Sequence, residues 1–169
     1  MLLSFIYGLV GIVLLIVFCL PGAFLVPQNA YWFMTPSAVE QLEKNDIPRE
    51  LKLKDKIIIG SLMLIVGACY IVTIIIAGKQ GVSSGMNLWQ LSLRFVIIFW
   101  MTSIFDAVVL DWWMFTKTDI FGILIKTKTG KTPDVMRVDP QWDGYEIHKL
   151  IGEAVISVII ALIFIKVCK

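Results

Sequence analysis

Two aspartates, Asp106 and Asp111, stand in the stretch FDAVVLDWW at the end of a long apolar run. A carboxylate near the hydrocarbon of a bilayer is costly and calls for a partner, a proton or a ligand. Trp112 and Trp113 are residue types that favour the headgroup level. Asp111 beside them is therefore shallow, and Asp106, five residues earlier, lies roughly 7–8 Å deeper along a helix. At that depth a charged carboxylate facing lipid costs on the order of 1–3 kcal/mol. Thr102 and Ser103, one turn before Asp106, can donate hydrogen bonds to it. The start of the last apolar run, EIHKLIGE, adds Glu146, His148, Lys149 and Glu153 near the same level, and His148 is the only histidine of the chain. The candidate polar site is accordingly Asp106, Asp111, His148 and Glu153 with Thr102 and Ser103.

Neutral imidazole and carboxylates are ordinary metal ligands. On an α-helix, however, Asp106 and Asp111 point roughly 140° apart, and His148 and Glu153 share the same offset. Nothing in this spacing demands a metal, and neither a metal nor a cofactor is expected. Arg94, twelve residues before Asp106, lies about 18 Å away along the axis. It is out of reach and is expected to snorkel toward the outer interface.

These side chains must be carried by membrane spans. The chain of 169 residues is 58% hydrophobic, above the level usual for soluble domains, and the excess is blocky. Four runs, at about residues 3–20, 57–77, 89–113 and 147–166, approach or reach the roughly 20 residues needed to cross a bilayer. The expectation is one membrane domain over 1–169, an all-α integral membrane protein built as a four-transmembrane-helix bundle. Basic residues crowd the first and last connecting segments (Lys44, Arg49, Lys52, Lys54, Lys56; Lys117, Lys126, Lys128, Lys131, Arg137, Lys149), while GKQGVSSGMN holds only Lys79. By the positive-inside rule both long loops are cytoplasmic and both termini outside the cell membrane. MLLS has no basic n-region and the first apolar run is longer than that of a signal peptide, so an uncleaved span is expected. Cys19, Cys69 and Cys168 have neither zinc nor disulfide spacing.

The first span is expected to end at Pro21-Gly22. In TPSAVEQLEKN, Ser37 and Glu40 form a capping box, predicting a short interfacial helix in the first inner loop. KLKDK, leading into the second span, suits anionic lipid headgroups. Gly60, Ser61, Gly67, Cys69 and Thr73 suggest close helix approach. In the last loop, alternating Ile, Lys and Thr around Thr129-Gly130 suggest a small hairpin. TGKT resembles the end of a phosphate loop, but that motif needs glycine where Ile125 stands.

Phe105-Asp106, Asp111-Trp112 and Phe115, followed by His148 at the entry to the last span, resemble a pattern in small bacterial four-span membrane proteins of unassigned function, FD-x4-DW-x2-F. The resemblance covers roughly residues 95–152 and implies a fold and a set of polar positions. Twelve lysines to three arginines suit a low-GC bacterium.

Three functions fit these residues. The first is a polar ligand- or proton-binding site at the inner end of the bundle, with Asp106 as acceptor. The second is an assembly or regulatory subunit, associating with itself or a membrane partner through Gly67, Gly152, Ser157 and Ala161. The third, with the thinnest basis, is a lipid-modifying enzyme using His148 as general acid or base; an enzyme is not the expected reading. The partners expected are the bilayer and anionic headgroups. Nucleic acid is not among them, because span-flanking charge explains the basic residues.

Overall fold

The computed structural model describes residues 2–25, 40, 43, 52–130, 132, 134, 137 and 144–168. Among them the regular structure is helical throughout: α1 (Leu2–Leu25), α2 (Leu53–Ser83), α3 (Leu88–Phe105), a π-helical continuation (Asp106–Met114), the single turn α4 (Phe115–Lys117), α5 (Ile120–Thr129) and α6 (Gly144–Cys168). Four helices are long and apolar enough to cross a membrane: Leu2–Gly22, Leu53–Ser83, Leu88–Met114 and Glu146–Cys168. Only 6% of the most apolar window of α2 is buried within the chain. Side chains such as Leu64, Ile71 and Val72 stand exposed, an inversion that suits lipid rather than water.

Several expectations change. α1 runs through Pro21 to Leu25, so the proline removes one backbone donor without ending the helix. The short interfacial helix expected over 35–45 lies outside the described residues except at Glu40 and Glu43, both helical and exposed. The hairpin is overturned. Residues Ile120–Thr129 are helical, and Gly130, at φ 73°, is the left-handed C-cap whose N–H donates to Lys126 O. The glycine that reads as a hairpin turn serves equally as a helix stop, and Ile120, Ile123 and Leu124 share a helical face.

The chain divides into two compact units. The first comprises Met1–Leu15, Val66–Phe105 and Asp143–Lys169. Its core is Ala77, Leu91, Phe95, Ile98 and Ala161, with Tyr7, Tyr70, Phe99, Ile160 and Phe164 packed around them. Two of its helical segments, the end of α2 and the start of α3, are joined by local chemistry. Gly85, at φ 72°, ends α2: its N–H donates to Val82 O and the Met86 N–H to Gly81 O, the paired bonds of a Schellman motif. Asn87 Oδ1 then accepts from the Gln90 N–H while Gln90 Oε1 accepts from the Asn87 N–H. This reciprocal capping box starts α3. α3 and α6 run antiparallel, with Phe95 and Phe164 ring centroids 5.8 Å apart and Trp100 Nε1–H donating to Leu150 O at 3.0 Å.

Arg94 does not snorkel outward. It is 1% exposed, and its Nη1 donates to Ala77 O at 2.8 Å and to Gln80 Oε1. The Tyr7 ring centroid lies 6.0 Å from the guanidinium carbon, within cation–π range. Gly81 leaves the room: a Cβ there would stand 2.5 Å from Leu91 Cδ1 and 3.2 Å from Arg94 Nη1. Gly8, Gly11 and Gly78 also sit against side chains of other helices, whereas at Gly67 and Gly152 a Cβ would meet nothing within 4 Å among the described residues. Close approach in this unit thus uses glycines other than the one singled out in the middle of α2.

Gln80→Leu removes the Gln80 Oε1 acceptor of Arg94 and should cost about 2–3 kcal/mol, as for hydrogen bonds to charged groups. Gly67→Ala, whose Cβ meets nothing within 4 Å among the described residues, should not destabilise and should gain up to about 1 kcal/mol of helix propensity. Thermal unfolding in mild detergent compares the two.

Candidate functional site

In the first unit, hydroxyls from α2 and α3 gather beside a carboxylate of α6. Glu153 lies about 10 Å, at about 1.5 Å per residue, from the start of its span at Glu146. Its Oε1 accepts a hydrogen bond from Ser103 Oγ of α3. Its Oε2 is buried with no hydrogen-bond partner among the described residues. One turn on, Ser157 Oγ–H donates to the Glu153 backbone carbonyl at 2.7 Å and is itself fully buried. Thr102, next to Ser103, donates to Ile98 O at 3.0 Å. The Tyr70 side chain of α2 lies beside Thr102 and within electrostatic range of Glu153. α1 closes the group: a Cβ on Gly11 would stand 2.6 Å from Thr102 Oγ1 and 3.0 Å from Tyr70 Cε2. All four long apolar helices therefore contribute to one polar cluster inside this unit.

Helical periodicity explains the placement. Ile98, Thr102 and Phe105 rise on one side of α3, and Ser103 follows Phe99 by one turn, on the side where Tyr70 stacks against Phe99 at 6.2 Å. On α6, Glu153, Ser157 and Ala161 recur at intervals of four, an inward stripe of one acid and two small residues. His148 belongs to a different face. It is exposed, and its Nδ1 is hydrogen-bonded to Gly144 O one turn earlier.

Of the six residues singled out in the sequence, Thr102, Ser103 and Glu153 thus come together, and His148 stands apart from them. Tyr70, Ser157 and Gly11 join the cluster without having been singled out as site residues. The signal that could have found them is the presence of a polar or missing side chain at helical spacing within otherwise apolar spans.

Asp106 and Asp111 belong to the second unit, Ile16–Ile65 and Asp106–Trp142. Here the backbone itself differs from expectation, because Asp106–Met114 is π-helical. With hydrogen bonds closing at i+5, a turn takes about 4.4 residues, and positions five apart come back to nearly the same side. The separation of roughly 140° belonging to an α-helix therefore shrinks to well under 90°. Both carboxylates are partly buried on that side and each makes interactions of its own. Cys19 of α1 lies within their electrostatic range. Ala107, Leu110 and Met114 are buried, whereas Trp112 and Trp113 are exposed. Lys117 Nζ stands 5.5 Å over the Trp112 ring. Thr116 and Thr118 hydroxyls donate to Trp112 O and Met114 O, satisfying carbonyls left open at the helix end. No group of three or more His, Cys, Asp or Glu placed to hold a metal occurs among the described residues.

Beyond the spans, Asp119 precedes α5 as its N-cap, yet its carboxylate does not cap. It accepts instead from Arg137 Nε at 2.7 Å. That hydrogen bond, and then the charge of Arg137, hold the Asp119 carboxyl below the usual aspartate range.

No family model matches the chain, and neither the curated proteins nor the solved structures compared with it yield a match. The FD-x4-DW-x2-F resemblance therefore has only its residue pattern behind it.

A depressed folded-state pKa contributes stability that is present above the unfolded value and lost as pH falls through the folded one. The Asp119–Arg137 tie should accordingly persist at neutral pH and release only on acidification below the ordinary carboxylate range. In Arg137→Ala the Asp119 carboxyl should return to that range, read by NMR titration of the side-chain carboxyl carbon. An unchanged midpoint would show that Arg137 does not hold it.

Proposed function

We propose that the chain is a multi-pass integral membrane protein of the cell membrane, whose four spans form a bundle around an intramembrane binding site for a proton or a small cationic ligand, centred on Glu153. The observation that carries this reading is the state of the Glu153 side chain. One oxygen is fixed by Ser103, and the other is buried without a partner among the described residues. A half-satisfied carboxylate at membrane depth is expensive, and a bound positive species offsets that cost. Ionisable groups retained inside spans are those that mark ion and proton pathways. Sites near the bilayer middle, formed where several helices meet, recur in ion-coupled membrane proteins.

The site so proposed lies deeper than an Asp106 centre at the inner end of the bundle. Asp106 and Asp111 keep the headgroup end of the third span, in its π-helical continuation, where carboxylates are cheaper. The topology proposed follows the basic residues, with both termini and the α2–α3 turn outside and the two long loops in the cytoplasm.

Two measurements bear on this. The thermal midpoint of the detergent-solubilised protein should rise with added cations, and Glu153→Gln should abolish that rise while Asp106→Asn retains most of it. A Glu153→Gln profile that tracks the wild type would sink the reading. In intact cells carrying a variant whose native cysteines are replaced, an impermeant maleimide should label a cysteine placed at Ser84 but not one placed at Lys126. The opposite pattern would invert the topology.

A further inference from the structure

The second unit carries a mixed apolar and basic surface that the Glu153 site does not use. The third long apolar helix reaches Met114, and α4 continues it by one turn to Lys117. Only Thr118 and Asp119 then separate it from α5, which begins at Ile120. Thr118 is extended, at φ −120° and ψ 155°, and its hydroxyl donates to Met114 O. The chain therefore turns where the span ends, and α5 starts close to headgroup level, the level that suits Trp112 and Trp113.

Large apolar side chains stay uncovered here: Trp112 is 39% exposed, Trp113 51% and Ile123 54%. Gly122 and Leu124 are buried and seat α5 on its unit. Ile123, Lys126 and Thr127, three and four residues apart, share its exposed side. Thr127 turns its hydroxyl hydrogen back to Ile123 O at 2.8 Å, and Lys126 supplies the charge of that face. Lys117 Nζ, 5.5 Å from the Trp112 ring centroid, is within cation–π range and sets a second positive charge beside an exposed ring. The charge balance is one-sided. From Trp112 to Pro133 the sequence has four lysines and a single acid, Asp119. That carboxylate is already engaged by Arg137 Nε at 2.7 Å.

The matching partner supplies negative charge to the ammonium groups and apolar area to the rings and Ile123, at the depth where a span ends. An acidic protein or a nucleic acid supplies the charge from water and leaves the apolar side chains uncovered. An anionic phospholipid supplies both in one molecule, phosphate toward the lysines and acyl chain against the rings. We propose that Trp112, Trp113 and Lys117, with the α5 face of Ile123, Lys126 and Thr127, form a docking surface for anionic phospholipid. This goes beyond the Glu153 reading and shares with it only the four long apolar helices.

The test is native mass spectrometry of the full chain in neutral detergent. The protein is titrated in turn with phosphatidylglycerol, with phosphatidylcholine of the same acyl chains, and with inorganic phosphate. The wild type should retain phosphatidylglycerol in preference to phosphatidylcholine and should not retain phosphate. One lysine near a charged lipid surface contributes about fivefold. Lys117→Gln combined with Lys126→Gln should therefore weaken phosphatidylglycerol binding roughly 25-fold and leave phosphatidylcholine binding unchanged. Lys117→Arg combined with Lys126→Arg should keep the preference. Equal retention of the two lipids by the wild type would overturn the proposal, as would a preference that survives loss of both lysines. Retention of phosphate that competes with phosphatidylglycerol would overturn the phospholipid assignment. A preference abolished instead by Lys52→Gln, Lys54→Gln and Lys56→Gln would move the lipid to the start of α2 and sink this surface. Lipid retention and cation-dependent unfolding are separate readouts, so this proposal and the Glu153 reading can each fail alone.

Discussion

The guanidinium of Arg94 is the constraint around which the first unit is organised. Arginine does not give up its proton in a protein, so a buried Arg94 must be met with acceptors wherever the fold places it. The last turns of α2 supply them, as the Ala77 carbonyl and the Gln80 amide oxygen. That end of a helix is also the negative end of its dipole. Gly81 provides the space and Tyr7 provides a ring face. One cation thereby ties α1, α2 and α3 together, and the Schellman turn and capping box between α2 and α3 hold the geometry in which it can do so. Removing Arg94 from water is unfavourable in itself. Its effect is to specify which helix ends meet.

The Glu153 cluster follows a contrasting logic. At Arg94 a donor-rich group is surrounded by acceptors, and its Nε–H has no partner among the described residues. At Glu153 an acceptor meets one donor, and its second oxygen has no partner among the described residues. The two groups stand on α3 at positions 94 and 103, about 13 Å apart along the axis. They are separated by the apolar layer of Phe95, Ile98 and Phe99, so neither neutralises the other by contact. A buried plus on α3 and a buried minus on α6, kept apart, leave each dependent on its own surroundings.

Much of the architecture is legible in the sequence because bilayer thickness imposes a length on apolar runs, and four of them have it. The α2–α3 junction is legible too, in the order Gly85, Asn87, Gln90, although its reading requires each residue to be assigned a place relative to the helix ends. What is not legible depends on partners far along the chain. Arg94 reads as an interfacial residue until Gln80 and Gly81 are seen folded back onto it. Ser103 and Glu153, fifty residues apart, look like separate polar positions. The α5 segment is ambiguous for a local reason: Ile, Thr and Lys at alternate places match a strand, and the same apolar residues three and four apart match a helix. The π-helical turn leaves no mark in residue type that distinguishes it from α.

That π-helical stretch also gives the third long helix two different tolerances for change in length. Within Leu88–Phe105 the face is strict: one residue added or lost rotates all that follows by about 100°, carrying Phe95, Ile98 and Ser103 off the core and the cluster. Within Asp106–Met114 the winding is already wider than α, as if a residue had been inserted. A residue lost there rewinds the turn toward ordinary geometry instead of breaking it. The helix therefore has a rigid register on one side of Phe105 and an adjustable one on the other, so drift in length between related chains would collect around FDAVVLDWWM.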